Sequence, residues 1–229
     1  MRITIALLLT TSALFFVGCD AGQGPATITA TQPQAHAISL FNGKDLSGWT
    51  YVLSKPDVKM EDVWSVKDGV LTCTGKPAGY LRTVSDDYEN YVFELEWQWP
   101  VGTEKANNGV LVHTSTPGEL GVWPKSIEVQ LAKDNAGDFW IIGTELDVVN
   151  EESRKKGRRH LNLTDDSEKP VGQWNHMQIT CAGNEIIVKV NGELVNHATN
   201  CSVTRGAICL QSEGAPIHYR NIRLAPLKN

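Results

Sequence analysis

Three side chains that can transfer protons lie in short runs of alternating apolar and polar residues: Glu96, His113 and Glu128. A carboxylate or an imidazole acts as a general acid or base when its neighbours hold it beside the reacting atom. Glu128 and Gln130 are two residues apart, so their side chains lie on the same side of an extended strand. By the same alternation, His113 falls opposite Val112, and Glu96 falls opposite the apolar residues of its own run. The spacing therefore predicts that groups capable of acid–base chemistry lie on one polar sheet face.

Short β-strands are the elements that must position these groups. From residue 39 onward, apolar residues recur at every second position and not with the 3.6-residue period of a helix. The runs that contain the candidate groups are 91–99, 109–113 and 126–131. Turn-forming residues separate such runs, as at 67–69 and 191–192. The pattern predicts an all-β fold, an antiparallel β-sandwich or barrel, with one domain over residues 38–229.

These three runs are expected to be neighbours in one sheet. In that arrangement their apolar side chains face a core, and Glu96, His113, Glu128 and Gln130 face the other way. If the polar face is hollow, the four groups line a cleft, and if it curves outward, they are solvated. The residue pattern leaves both alternatives open.

The N-terminus has the pattern of an export signal. Arg2 precedes an apolar stretch over residues 3–17, which is too short for a bilayer span of roughly 20 residues. The stretch ends in Phe-Val-Gly-Cys, which resembles a bacterial lipobox and predicts lipid modification of Cys19; an ordinary signal with a chance cysteine is the alternative. We therefore predict a signal peptide at 1–18, a flexible tether at 19–37 and an exported, lipid-anchored protein of the bacterial cell envelope.

Composition and charge fit a single globular domain. The chain has 229 residues, of which 41% are hydrophobic, and this is enough for one full-sized core. A net charge of −5 argues against a nucleic-acid partner. A basic run within 151–160 is typical of a solvated face, with a patch for an acidic sugar or a lipid head group as the alternative.

Four cysteines follow the lipobox, and an exported compartment permits disulfides. Their spacing does not resemble that of a zinc site. Cys73 and Cys181 are either buried free thiols or a bridge, and Cys201 and Cys209 are close enough in sequence to pair.

Several short motifs then occur in a fixed order along the chain. They lie at 40–49, 64–71, 79–83, 107–110, 126–131, 137–140, 168–175, 191–192, 210–214 and 219–222. Together they resemble the 3-keto-disaccharide hydrolase domain family, in its bacterial lipoprotein form, over about residues 38–227. The resemblance implies the concanavalin A-like lectin/glucanase fold, a jelly roll of two curved sheets whose concave face binds sugar. The family usually has arginine where His113 stands, and this departure puts any single-residue catalytic assignment in doubt.

The family resemblance also implies a chemistry. A ketone at C3 of a glycoside acidifies the C2 proton, so a base can remove it while the aglycone leaves from C1. Water then adds to the resulting enone, and the net reaction is hydrolysis. Such a site needs a base near C2, an acid near the glycosidic oxygen and a group that polarises the C3 carbonyl. Glu128, Glu96 and His113 are the candidate acids and bases.

Other residues are candidates for holding the substrate. Gln130, Asn108 and Arg82 could donate hydrogen bonds to the carbonyl or the developing enolate. Trp123 and Trp140 are candidate platforms on which a sugar ring stacks, and loop packing is the alternative for both. An oxidoreductase that makes the 3-keto sugar is the expected functional partner.

No cofactor is predicted, although Asp134 and Asp138 could join Glu128 in a calcium site. Two other functions stay open beside the keto-sugar enzyme. One is a non-catalytic, lectin-like carbohydrate-binding module, since a fold does not determine a function. The other is an ordinary glycosidase that uses Glu96 and Glu128 as its two carboxylates.

Overall fold

The structure, a computed structural model, describes residues 36–227. The strands are β1 Ile38–Ser39, β2 Trp49–Leu53, β3 Trp64–Lys67, β4 Val70–Cys73, β5 Gly79–Thr83, β6 Tyr91–Gln98, β7 Gly109–Thr114, β8 Ser126–Gln130, β9 Phe139–Ile142, β10 Asp147–Val148, β11 Lys155–Lys156, β12 Arg159–His160, β13 Asn175–Ala182, β14 Glu185–Val190, β15 Glu193–Thr199, β16 Ala207–Ser212 and β17 Ile217–Pro226. Two one-turn helices accompany them, α1 Met60–Val63 and α2 Glu151–Arg154. The predicted all-β fold is confirmed.

The predicted N-terminal features lie almost wholly outside the described residues. These are the signal peptide, Cys19 and nearly all of the predicted tether. Within residues 36–227, no helix has the length and apolar character needed to cross a membrane.

The strands form two antiparallel sheets. The back sheet has the order β10-β15-β14-β13-β6-β17-β4-β3, and β1 pairs with β17. The front sheet has the order β11-β12-β9-β8-β7-β16-β5-β2. The apolar cluster between them draws on both sheets, so the architecture is the predicted β-sandwich.

One face of the back sheet packs against the core, and the other face is in contact with solvent. In β6, Phe93, Leu95 and Trp97 are fully buried, while Glu94 and Glu96 are half-buried on the outer surface. Strands β13 and β14 alternate in the same way. This is the usual pattern of an antiparallel sheet with a single core.

The front sheet differs, because its central strands are buried on both faces. Every residue of β7, β8 and β16 is buried. Val110 and Val129 belong to the core between the sheets, whereas Leu111 and Cys209 form a second apolar cluster on the opposite side. We call that side the front face. No further sheet packs on the front face, so loops must cover it to keep these residues from solvent.

One of these loops joins β7 to β8, over residues 115–125, and we call it the cover loop. Its base is held by two backbone hydrogen bonds, from Ser115 N to Lys125 O at 3.0 Å and from Lys125 N to Thr116 O at 2.7 Å. Trp123 of this loop packs against the apolar cluster of the front face. The loop therefore lies over the front face and helps to bury it.

All four cysteines in the described range are free and buried. Burial raises the pKa of the Cys181, Cys201 and Cys209 thiols to about 12. Neither of the two disulfides that the sequence left open is present among them.

Candidate active site

A row of side chains crosses the front face and contains the first candidate acid. Cross-strand pairs join Arg82 to Cys209, Cys209 to Leu111, Leu111 to Glu128 and Glu128 to Trp140. Because neighbouring strands lie about 4.8 Å apart, Arg82 is about 14 Å from Glu128 along this row. The structure thus brings Glu128 and Trp140 together and holds Arg82 at a distance.

The Glu128 carboxyl group is almost completely buried, since the residue is only 6% exposed. Burial raises its pKa to about 8, and the nearby Glu213 carboxylate adds to this rise, while Gln211 and Arg158 oppose it. A carboxyl group with this pKa keeps its proton at neutral pH. Glu128 can therefore donate a proton, which an ordinary surface carboxylate cannot do at that pH.

Glu128 and Gln211 can pack close to the β7 backbone because residue 109 is a glycine. A Cβ atom on Gly109 would lie 2.6 Å from Gln211 Oε1 and 2.9 Å from Glu128 Oε1, so both oxygens converge on one point. Gln211 is 1% exposed, and its Oε1 has no hydrogen-bond partner among the described residues. Leaving a buried acceptor unpaired costs about 1–3 kcal/mol. This oxygen is thus placed to accept a hydrogen bond from protonated Glu128 or from a ligand hydroxyl.

A second carboxyl group, Glu213, follows directly after β16. Burial raises its pKa to about 7, against the opposing effects of Arg158 and of a hydrogen bond from Asn107. Asn108 holds the backbone around it: Asn108 Oδ1 accepts from Glu213 N at 2.8 Å, and Asn108 Nδ2 donates to Ala215 O at 2.9 Å. The predicted ligand residue Asn108 therefore uses its amide to position Glu213.

Arg158 supplies positive charge to this site from the turn between β11 and β12. Its guanidinium carbon lies 5.5 Å from the centroid of the Trp140 ring, and its Nη1 donates to Ile141 O at 3.1 Å. Arg158 lowers the pKa of both Glu128 and Glu213, so its charge acts on both carboxyl groups. Arg158, a member of the basic run, is therefore part of this site and not only a solvated surface residue.

Two other predicted ligand residues make structural contacts. Gln130 Oε1 accepts hydrogen bonds from Leu131 N at 3.0 Å and Ala132 N at 3.1 Å, and so closes the end of β8. Arg82 forms an ion pair with Asp86 at 3.2 Å on the far side of the front face. Trp123 lies on the front face as well, among apolar side chains.

The prediction that Glu96 shares a sheet face with Glu128 is wrong. Its strand, β6, lies in the back sheet between β13 and β17. On the outer surface of that sheet, Glu96 forms an ion pair with Arg220, whose guanidinium carbon is 4.1 Å from the Trp174 ring centroid. Alternation assigned the polar side of β6 correctly, but it cannot tell which strands pair over long sequence distances. Glu96 therefore cannot act together with Glu128.

The prediction that His113 lies on the polar face is also wrong. Strand β7 has one extra residue opposite the step from Ala207 to Cys209, and His113 there adopts a left-handed φ of 53°. Such a bulge interrupts the alternation of side chains. The imidazole instead lies 6.0 Å from the ring of Tyr91 in the core, and burial lowers its pKa to about 4. His113 is a neutral core residue at physiological pH.

Asp134 and Asp138 do not assemble a metal site with Glu128. Asp138 is buried in an ion pair with Arg159 at 2.5 Å, and the exposed Asp134 pairs with Lys133 at 2.6 Å. Between residues 36 and 227, no group of three or more His, Cys, Asp or Glu side chains could hold a metal ion. The residues present therefore do not fit the calcium site considered above.

A comparison with protein-family models matches residues 36–225 to the 3-keto-alpha-glucoside-1,2-lyase-like domain. The chain belongs to this family. The match spans most of the chain and agrees with the family that the ordered motifs indicated. A comparison with curated proteins finds no match.

Solved structures with a similar fold come from proteins that act on or bind carbohydrate. One, from Parabacteroides distasonis and provisionally named a glycosyl hydrolase, is 26% identical, with 84% of this chain and 100% of that chain covered and a TM-score of 0.60. A carbohydrate-binding module from Bacillus subtilis is 11% identical, with coverages of 78% and 95% and a TM-score of 0.57. A Bacillus licheniformis beta-glucanase is 13% identical, with coverages of 85% and 100% and a TM-score of 0.54. The last two show the fold alone, and the family and the first support a carbohydrate-active, glycoside hydrolase-like function.

Reasoning from the sequence missed three residues of this site: Gln211, Glu213 and Arg158. Gln211 and Glu213 could have been predicted, because they alternate with the apolar Ile208 and Leu210 and are two residues apart. Glu128 and Gln130 show the same pattern in β8. The signal for Arg158 was the basic run within 151–160, for which a solvated face was the first interpretation and a patch for an acidic sugar or a lipid head group the alternative.

Proposed function

We propose that this protein cleaves 3-keto-α-glucosides by elimination at C1 and C2. The observation that carries the proposal is the pair of buried carboxyl groups, Glu128 and Glu213, at the front face. Both have pKa values raised toward neutrality, so one can hold a proton while the other is ionised. Carboxyl groups whose pKa values are raised in this way are typical of acid–base catalysis.

The two carboxyl groups have distinct roles in the proposed reaction. Glu213, with a pKa of about 7, is ionised in a large fraction of molecules near neutral pH and takes the C2 proton. The C2–H electron pair forms the C1–C2 double bond, and the C1–O bond breaks with its electrons on the glycosidic oxygen. Glu128, with a pKa of about 8, gives its proton to that oxygen. The products are an enone and the free aglycone alcohol.

Two neighbours support these steps. Negative charge develops on the C3 oxygen as the C2 proton leaves, and the guanidinium of Arg158 is the positive charge that stabilises it. Gln211 Oε1, which lacks a donor among the described residues, accepts a hydrogen bond from a sugar hydroxyl or from Glu128. Water then adds to the enone and completes the net hydrolysis.

The test uses a 3-keto-α-glucoside and the same glucoside with its C3 hydroxyl intact. We expect release of the aglycone from the ketone only, and deuterium at C2 of the sugar product when the reaction runs in D₂O. Glu213→Gln and Glu128→Gln should each reduce kcat by at least about 100-fold, as expected for loss of an acid or base. Glu96→Gln is the matched control and should keep its activity. Wild-type activity in Glu213→Gln would overturn the assignment of the base.

The same carboxyl pair also favours a second candidate, an ordinary glycosidase that uses Glu128 and Glu213. This enzyme would cleave the unoxidised glucoside without a preceding oxidation. A carbohydrate-binding module is the third candidate, and it would bind glycans without turning over either substrate. The paired substrates of the test above therefore separate all three.

We also propose that the protein works in the bacterial cell envelope, anchored by a lipid on Cys19, downstream of an oxidoreductase that makes the C3 ketone. The lipobox-like segment supports the anchor, and the chemistry of the ketone supports the oxidoreductase. Fractionation of cells that express the full chain tests the anchor. Wild type should sediment with membranes and Cys19→Ala should not, whereas membrane association of both would contradict the lipid anchor.

A further inference from the structure

Trp140 lies beside the carboxyl site, and the chemistry proposed above does not use it. It pairs with Glu128 across β8 and β9, so the two side chains are neighbours on the front face. Its ring is partly buried. The sequence made Trp140 a candidate platform for a sugar ring, and the groups that contact its ring decide whether it has that role.

Two guanidinium groups already lie over this ring. The guanidinium carbons of Arg158 and Arg159 are 5.5 Å and 5.9 Å from the ring centroid. A cation at this distance is attracted by the electron-rich face of an aromatic ring. A sugar that stacked on a covered face would have to displace the cation there. Trp140 is therefore better suited to holding an arginine than to holding a sugar.

Arg159 does not depend on Trp140 for its position. Its Nη2 atom is 2.5 Å from Asp138 Oδ2 in an ion pair, and it also donates a hydrogen bond to Asn135 Oδ1 at 2.5 Å. Asp138 is only 1% exposed, so solvent and salt screen this ion pair weakly. The charge of Arg159 is therefore fixed and balanced by its own partners.

Arg158 has no such partner. Among the described residues it forms no ion pair, and its one side-chain hydrogen bond runs from Nη1 to Ile141 O at 3.1 Å. A hydrogen bond from Ile141 N to Arg158 O, at 3.0 Å, fixes only the main chain. A guanidinium has five N–H donors, and a single neutral acceptor restrains it weakly. The Trp140 ring is therefore the other contact that limits where this charge lies.

The position of the Arg158 charge matters because two carboxyl groups respond to it. Arg158 lowers the pKa of both Glu128 and Glu213, against the larger effect of burial. The attraction between charges falls with distance and is screened by solvent, so a guanidinium that swings outward loses most of this effect. The ring, the guanidinium and the two carboxyl groups therefore act in sequence.

We infer that Trp140 is a positioning residue, whose ring holds the Arg158 guanidinium beside Glu128 and Glu213, and that it is not a stacking platform for sugar. The consequence for catalysis rests on the proposed function, whereas the effect on the two carboxyl groups does not. Because Trp140 acts through Arg158, its replacement should have no effect on these groups once Arg158 is absent.

The test is a double-mutant cycle of Trp140→Met and Arg158→Gln, read by NMR titration of ¹³C-labelled carboxyl groups. Methionine fills space but has no aromatic face. Each single variant should raise the pKa of Glu128 and of Glu213 by roughly 0.5–1 unit, because a nearby cation is moved or removed. Adding Trp140→Met to Arg158→Gln should give no further rise. Trp140→Phe should lie between wild type and Trp140→Met, since a benzene ring binds a cation less strongly than an indole.

Trp174→Met is the matched control. The Trp174 ring also carries a guanidinium, that of Arg220 at 4.1 Å, but on the outer surface of the back sheet. This variant should leave the pKa values of Glu128 and Glu213 unchanged. Unchanged values in folded Trp140→Met, or an equal rise with and without Arg158, would disprove the inference. If Trp140→Met does not fold, the same cycle with Trp140→Phe is judged by the same two results.

Kinetics with a 3-keto-α-glucoside separate positioning from sugar stacking. Trp140→Met should lower kcat about tenfold with little change in KM, because Arg158 stabilises charge that develops in the transition state. Both limbs of the pH profile of kcat/KM should move to higher pH. A raised KM with an unchanged pH profile would instead identify a stacking platform and contradict the inference.

Failure of the proposed function gives a separate result. If no 3-keto-glucoside is cleaved, the carboxyl titration still decides whether Trp140 positions Arg158. If the substrate is cleaved but Trp140→Met keeps the carboxyl pKa values of wild type, the inference fails and the proposed function stands.

Discussion

Replacing Glu128 by glutamine should make the folded protein more stable at neutral and alkaline pH while it removes the catalytic acid. Burial and the neighbouring Glu213 raise the pKa of Glu128 from 4.5 to about 8. Between these two pH values, the unfolded chain releases the proton and the folded chain keeps it, so the free energy of unfolding falls as pH rises. Glutamine has a similar shape and does not ionise, and the variant therefore lacks this pH dependence.

The size of the effect follows from the two pKa values. One pKa unit corresponds to about 1.4 kcal/mol, so at pH 7 the penalty on the folded state is about 3 kcal/mol. Below pH 4.5 both states are protonated and the penalty vanishes, and above pH 8 it reaches its full value. For a domain of this size, about 3 kcal/mol corresponds to a rise in Tm of roughly 6–12 °C.

Thermal and urea unfolding of wild type and Glu128→Gln, followed by tryptophan fluorescence from pH 4.5 to pH 8.5, measure this difference. The gain in stability should grow with pH and be close to zero at pH 4.5. Glu96→Gln is the control, because it breaks a partly exposed ion pair with Arg220 and should cost at most about 1 kcal/mol. A gain that is equal at both ends of the pH range, or a variant that is less stable at pH 8, would refute the account of Glu128.

Three further outcomes are expected. Gly109→Ala should lower kcat/KM at least about 100-fold with β-structure retained by circular dichroism, because the added Cβ displaces the Glu128 carboxyl group; normal turnover would contradict this geometry. Since burial lowers the pKa of His113 from 6.5 to about 4, the His113 contribution to the unfolding free energy of wild type should fall by about 3 kcal/mol as pH falls through that window, opposite in sign to the contribution of Glu128. His113→Asn, which tolerates the left-handed backbone, should not show this loss in urea titrations, and an equal loss would count against it. The four described cysteines should resist a thiol reagent in the native protein and all react in urea, so fast native labelling of any of them would disprove their burial.

Much of the local structure was predictable because it depends on near neighbours. Alternation in 126–131 placed Glu128 on the side opposite Val129 before any pairing was known, and the same rule located the hairpin of β3 and β4. The ordered motifs identified the family, and the family identified the sandwich. None of these inferences depends on which strands, far apart in the sequence, pair with each other in a sheet.

The site itself depended on contacts between residues far apart in the chain. Glu96 has the same local pattern as Glu128, and only long-range pairing sent β6 to the back sheet. One extra residue in β7 interrupts the alternation of side chains, so the His113 side chain lies in the core.

The sequence by itself determined that the protein is built from strands, which side of most strands is apolar, and to which family it belongs. The tertiary structure decided that Glu213 and Arg158 join Glu128, and that the cover loop packs on the apolar cluster of the front face. The physical reason is the distance along the sequence between the residues that determine each feature. Side-chain alternation follows from the geometry of one strand, whereas sheet partners, burial and the resulting pKa values arise only when separate segments pack together.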